Sequence, residues 1–174
     1  MNLRIIKKLL AYFLISRVFF ILFTLIASFY IPLRDGYIGK QVAPDAPYLV
    51  WVWANFDGRH YIDIAVKGYE NTNFAFFPLY PVLISLVGYI IPVAHIYIGI
   101  FLSLVFFFLA IYYIYKITKI DYGEKVATLA VAACNFVPFS FFYHSVYTDS
   151  LFLFLSVAPF YCARKGNWWV SGIF

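Results

Sequence analysis

Residues 78–91 read PLYPVLISLVGYII, and the architecture turns on whether this stretch crosses a membrane. As a helix it would be about 21 Å long, short against a hydrocarbon core of about 30 Å. Longer apolar runs flank it: Leu9–Leu33 before, then Ala94–Tyr115, Val126–Phe142 and Asp149–Ala163 after. Basic residues stand beside these runs: Arg4, Lys7 and Lys8, then the lysines of KITKIDYGEK (residues 116–125), then Arg164 and Lys165. If 78–91 crossed, the lysine segment would fall outside, and Asp57 and Asp149 would face opposite sides. If 78–91 lies in the interface, every basic cluster falls inside and the two acids share the outer side. The positive-inside rule selects the second arrangement.

The expected fold is therefore all-α and integral to the membrane: one domain over residues 1–174, with spans at about 9–33, 94–115, 126–142 and 149–163. Residues 34–93 form an outer loop with juxtamembrane helices. Composition agrees. The chain has 174 residues, 64% hydrophobic, 24% aromatic and 12% charged, more apolar surface than a soluble domain of this length can bury. The net charge of +5 sits beside apolar runs rather than on a polar face, so it reads as membrane orientation and not as a nucleic-acid surface. Cys134 and Cys162 lie inside apolar segments and read as small buried hydrophobes. The first run is too long for a signal-peptide core and lacks a small-residue cleavage site, so it reads as a retained helix. The closing WWVSGIF reads as the entry to a further span, which makes the chain the N-terminal part of a longer polytopic protein.

Most of the polar chemistry lies in the outer loop, in NFDGRHYIDIAVKGYENTNFAFFPLYP, residues 55–81. Gly36, Gly39, Pro44 and Pro47 make the loop's first part irregular. Tyr48–Val66 has apolar residues at helical spacing and predicts one amphipathic surface helix, ended by Gly68. On it His60 and Tyr61 follow Asp57 by three and four positions and share its face. A carboxylate so placed can serve as general base to an acceptor hydroxyl, or can be a solvated surface acid. In YHSVYTDSLF any of Thr148, Asp149 and Ser150 can cap the following helix, or Asp149 works as an ionised group at the membrane, with Tyr147 and His144 beside it. Arg59 and Lys67 suit a phosphate or lipid headgroups. Arg17, inside the first run, snorkels, pairs within the bundle or holds a lipid phosphate. No two of His60, His144, Asp57 and Asp149 have a recognisable metal-ligand spacing, so no metal or other cofactor is expected.

FDGRHYIDIAVKGY followed by FAFFPLYP resembles the first outer loop of the PIG-V type mannosyltransferases, the family of GPI mannosyltransferase II and its prokaryotic relatives. FVPFSFFYHSVYTDSLF, residues 136–152, resembles that family's second loop, and the likeness covers about residues 50–170. Phe56 stands where the family tends to have Trp. The resemblance implies a GT-C type multi-span glycosyltransferase of the plasma membrane or, in a eukaryote, the endoplasmic reticulum. It implies a polyprenyl-phosphate sugar, mannose by family, as donor and a glycan or glycolipid as acceptor, at the outer or lumenal face. By position it makes Asp57 the first-loop catalytic acid and Asp149 the acidic residue of the second. Arg59, His60, Tyr61, Tyr147 and His144 are the substrate-contacting candidates. The competing reading is a non-catalytic membrane component: a truncated paralogue, or an assembly or transport subunit. The apolar runs contain little polar character beyond Arg17 and Asn135, which disfavours a transport path.

Overall fold

A computed structural model describes residues 3–31, 43–70 and 73–173. Arg34, Gly36, Gly39 and the last residues of the expected first span lie outside the described residues. All described elements are helical. In chain order they are α1 (Leu3–Tyr30), α2 (Tyr48–Trp51), a 3-10 turn (Val52–Ala54), α3 (Asp57–Lys67), α4 (Leu79–Ile90), α5 (His95–Phe136), a second 3-10 turn (Pro138–Tyr143), α6 (Asp149–Arg164) and α7 (Trp168–Ile173).

Two of these, α1 and α5, are long and apolar enough to cross a membrane. α5 is two helices end to end, because Gly123 has φ 78° and ψ 179° and folds the chain back on itself. The conformation suits glycine, which has no Cβ to clash. On the returning leg Ala127 and Val131 join Phe107, Ile111 and Tyr115 of the outgoing leg in one core with Leu9 and Phe13 of α1. The lysine segment 116–125, expected as a loop between two spans, is thus helical on both sides of a single-residue reversal. The returning leg also ends earlier than expected, at Phe136 rather than Phe142. Pro138 is the physical reason: it pushes Val137 into an extended conformation (φ −61°, ψ 142°), and the chain continues as a 3-10 turn.

α1 turns Leu9, Phe13, Ser16, Arg17 and Phe20 toward α5 at helical spacing. Its opposite side leaves Leu14, Phe19, Phe23, Ile26 and Phe29 exposed, a face that water would not tolerate but lipid would. Among apolar neighbours burial contributes little to helix association, and polar contacts fix the register. Ser16 Oγ donates to Asn135 Oδ1 at 2.9 Å, and Asn135 Nδ2 donates to Val131 O at 2.8 Å. Arg17 is 4% exposed. It does not snorkel but reaches into the bundle, donating to Ser140 Oγ at 2.7 Å and Ser140 O at 3.1 Å. Its guanidinium lies 4.9 Å from the Phe107 ring centroid.

All the basic clusters gather at one end. Lys8 Nζ donates to Thr128 Oγ1 at 3.3 Å, Lys119 pairs with Glu124, and Arg164 pairs with Asp121. At the other end α3 and α4 pack on the start of α5 around Tyr80, Ile84, Ile96, Ile98 and Leu102. α4, the stretch quoted at the outset, has 12 residues and folds against α5 as a short hairpin, Tyr80 beside Gly99 and Gly88 beside His95.

Candidate active site

The expected single helix over 48–66 is broken, and the break makes the site. After the first 3-10 turn Asn55 is extended and Phe56 takes φ 56°, the one non-glycine residue with positive φ among the described residues. Such strain persists only when its surroundings enforce it. The enforcement comes from the 144–148 segment: Val146 N–H donates to Trp53 O at 2.8 Å, and Tyr147 Oη donates to Asn55 O at 2.8 Å. Carbonyls that a continuous helix would have used internally are bonded across the molecule instead. Asp57 consequently opens α3 rather than standing in mid-helix. α3 ends where the sequence says it should, at Gly68 with φ 84°.

Val146, fully buried, is the plug that seats the two segments. Gly58 of α3 and Gly99 of α5 face it from two sides. A Cβ on Gly99 would lie 2.6 Å from Val146 Cγ1, and one on Gly58 would lie 3.4 Å from Val146 O. Both positions therefore need glycine for close approach rather than for backbone freedom.

Asp149 opens α6, as Asp57 opens α3. The N-cap is Thr148, and it makes no side-chain capping bond; its hydroxyl instead lies 3.1 Å from Tyr61 Oη. Asp149 is thus not the cap that the sequence allowed. The two carboxylates, exposed and distant in sequence, are close enough in space to act on one another. Each also acts on the phenols of Tyr61 and Tyr147. Burial, with the two negative charges second, pushes Tyr147 up to about 12 and raises Tyr61 above the usual phenol value. Both phenols are therefore neutral donors at physiological pH.

The other candidates divide into those at this surface and those beneath it. His60 stacks on Phe76 at 4.7 Å, and Tyr61 meets Phe76 and Tyr80 edge-on at 5.1 and 5.4 Å. Phe76 also lines an aromatic cavity of about 480 Å³ with Tyr69, Phe74, Phe77 and Pro78. Arg59 and Lys67 both reach Asp63, at 3.2 and 3.1 Å. His144 lies underneath, 6% exposed and stacked on Trp53 at 4.4 Å. Among the described residues no three His, Cys, Asp or Glu side chains cluster as metal ligands would.

Burial, reinforced by the Arg17 charge, lowers His144 to about 4. A histidine depressed in the fold contributes stability above its unfolded value of about 6.5, and that contribution is lost as pH falls toward 4. We expect the chain to lose about 3 kcal/mol between pH 7 and 4 from this group alone. The His144→Phe variant keeps the stack on Trp53 and should flatten that part of the profile. Thermal unfolding midpoints of both proteins at pH 7 and 4.5 check this. Equal acid sensitivity would remove His144 as the cause.

Tyr80, which with Phe74, Phe76 and Phe77 reads in the sequence as an aromatic for lipid or sugar faces, is instead buried, and with Ser103, which sequence reasoning missed, it joins the two halves of the site from below. Tyr80 Oη lies 2.6 Å from Ser103 Oγ and donates to Gly99 O at 2.8 Å. Both are fully buried, and nothing in FAFFPLYP distinguishes Tyr80 from the exposed aromatics around it. The sequence offers Thr148 only as a possible cap.

Comparison with known proteins bears on what this arrangement serves. Neither the curated proteins nor the solved structures contain a match to the chain. The family described as Mannosyltransferase (PIG-V) matches over residues 2–174, which includes both acid-bearing segments, the glycine-seated Val146 and every helix described above. The chain belongs to the mannosyltransferase (PIG-V) family, and thereby to the glycosyltransferases.

Proposed function

We propose that the chain transfers mannose from a polyprenyl-phosphate carrier to a hydroxyl of a glycan or glycolipid, at the membrane face opposite its basic clusters. The observation that carries this reading is that Asp57 and Asp149 each stand at the first turn of a helix, in segments tied together by the Tyr61–Thr148 and Tyr147–Asn55 hydrogen bonds. Transfer to a hydroxyl needs a group to take the proton as the new glycosidic bond forms, and a carboxylate within hydrogen-bond reach does this. In this reading Asp57 is the base. Asp149 holds the acceptor through a second hydroxyl, and Tyr61 donates to an oxygen of the departing phosphate, while Tyr147 keeps its proton on Asn55 O. The carrier phosphate leaves with the bonding electrons of the anomeric C–O bond, and Asp57 holds the proton from the acceptor.

His60 and Phe76 offer ring faces to the sugar, and the aromatic cavity beside them suits the first isoprene units of the carrier. Arg59, tethered to Asp63, is placed at the rim to meet the phosphate. His144 is a positioning residue: it supports Trp53, whose carbonyl holds Val146. In the GT-C type arrangement suggested by the sequence, α1, both legs of α5 and α6 cross the membrane, while α3 and α4 lie in the interface.

Sealed right-side-out vesicles containing the protein test donor and face together. Label from polyprenyl-phosphate mannose should enter a product that a membrane-impermeant oxidant of vicinal diols destroys. Incorporation that requires a nucleotide sugar with the lipid pool depleted, or product protected inside the vesicle, would overturn the donor or the face respectively.

A further inference from the structure

The opposite, basic end of the molecule carries a second cavity, far from the paired acids. It has a volume of about 540 Å³ and is lined by Ile5, Tyr115, Lys116, Lys119, Ile120, Tyr161 and Lys165. α1, the reversal of α5 and the end of α6 supply its walls. The two acids at this end are already engaged, Glu124 by Lys119 and Asp121 by Arg164. Among the described residues Lys116 has no carboxylate partner: its ammonium donates to Tyr112 Oη at 3.3 Å and lies 4.4 Å from the Tyr161 ring centroid. Lys165 forms no ion pair among the described residues. Tyr115 adds an independent sign of a missing ligand. It is 3% exposed, and its hydroxyl has no hydrogen-bond partner of ordinary length; the Lys119 ammonium reaches it at longer range and can only donate to it, which leaves the phenol proton without an acceptor among the described residues.

Three ammonium groups, an unsatisfied phenol and two isoleucines around one cavity describe an anion with an apolar tail. We propose that this cavity binds a phosphate-bearing anion, specifically the headgroup of an anionic phospholipid. Lys116, Lys119 and Lys165 meet the phosphate oxygens, Tyr115 Oη donates from below, and Ile5 and Ile120 line the start of the acyl chains. Basic pockets between membrane helices recognise acidic lipids in this way, while loose surface lysines give only a diffuse attraction. The proposal rests on the chain being a membrane protein and is independent of sugar transfer, since no donor or acceptor enters it. Its consequence is a fixed lipid wedged where three helices converge, locking the basic end while the acidic end works.

Native mass spectrometry of the detergent-solubilised chain, titrated with phosphatidylglycerol or phosphatidylcholine, tests it. Phosphatidylglycerol should be retained as a discrete single adduct and phosphatidylcholine should not. Lys116→Met with Lys165→Met should weaken retention about thirtyfold, at roughly fivefold per lysine lost. Lys116→Arg with Lys165→Arg should retain the lipid, which separates lost charge from lost folding. Lys7→Met with Lys125→Met, an equal charge change outside the cavity, should leave retention intact. Equal weakening by that control pair would reduce the effect to a diffuse field and overturn the site. Displacement of the lipid by millimolar inorganic phosphate, with the same lysine dependence, would keep a phosphate site and overturn its lipid source.

Discussion

Replacing Asp57 by Asn should lower mannosyl transfer by about 10²–10⁴ while leaving membrane insertion and carrier binding intact. Asn has the same shape and keeps a hydrogen-bonding carbonyl oxygen at the first turn of α3, where Asp57 is exposed and its charge is not needed to fill a core. What it loses is the ability to accept a proton. Asp149→Asn should fall in the same range. Had Asp149 been a helix cap, Asn would have replaced it almost without cost, but the cap is Thr148 and its hydroxyl is turned toward Tyr61. Asp63→Asn is the control. It breaks two exposed i,i+4 pairs, each worth about 0.3–0.5 kcal/mol, and should change the rate little. Transfer rates measured on all three in the same vesicles decide the matter. If Asp57→Asn and Asp149→Asn both run at the unaltered rate, neither carboxylate does chemistry.

The second large effect should come from a residue that touches no substrate. Gly99→Ala adds one carbon, 2.6 Å from Val146 Cγ1, in a fully buried place with no room for Val146 to turn aside. Overpacking of this kind costs about 1–3 kcal/mol. Val146 must retreat, and with it the bonds to Trp53 and Asn55 that seat the start of α3 and so Asp57. A misplacement of about 1 Å at a reacting group can cost about 10²-fold in rate, which is the loss expected here. The compensating change is specific: Val146→Ala in the same chain removes the two methyl carbons that the added Cβ would strike and should recover most of the activity. Gly58→Ala is milder, because its closest contacts are 3.3–3.4 Å. If the double variant is no better than Gly99→Ala alone, the close approach to Val146 is not why glycine is needed at position 99.

The apolar runs made the helices legible, because spacing and length are local properties. The family was legible as well, since its two signature segments carry their own residues in order. Gly68 marked the end of α3 for the same reason: a positive φ is written into the residue type. The errors came where a distant partner decides. Nothing in VWANFDG announces that the carbonyls of Trp53 and Asn55 are bonded across to Val146 and Tyr147, so an unbroken helix was the natural reading. The reversal at Gly123 was hidden because a single glycine between two helix-forming stretches resembles any other loop residue. Arg17 was ambiguous until Ser140 was brought beside it, and the inward turn of Tyr80 depends on Ser103 being there to meet it.

The bond from Val146 to Trp53 has a bearing on the order of events during synthesis. It joins points about ninety residues apart, and the strained Phe56 has no local reason to hold its backbone without it. Translation at about 5–20 residues per second puts roughly 5–20 s between the emergence of the two partners. Throughout that interval the segment around Asp57 lacks the bonds from Val146 and Tyr147 that fix its break. Both legs of α5 precede Val146 in the chain, so the partner of Trp53 O is made after them. The break that sets Asp57 at the start of α3 therefore gains its long-range partners late, after α1, α4 and α5 have been made.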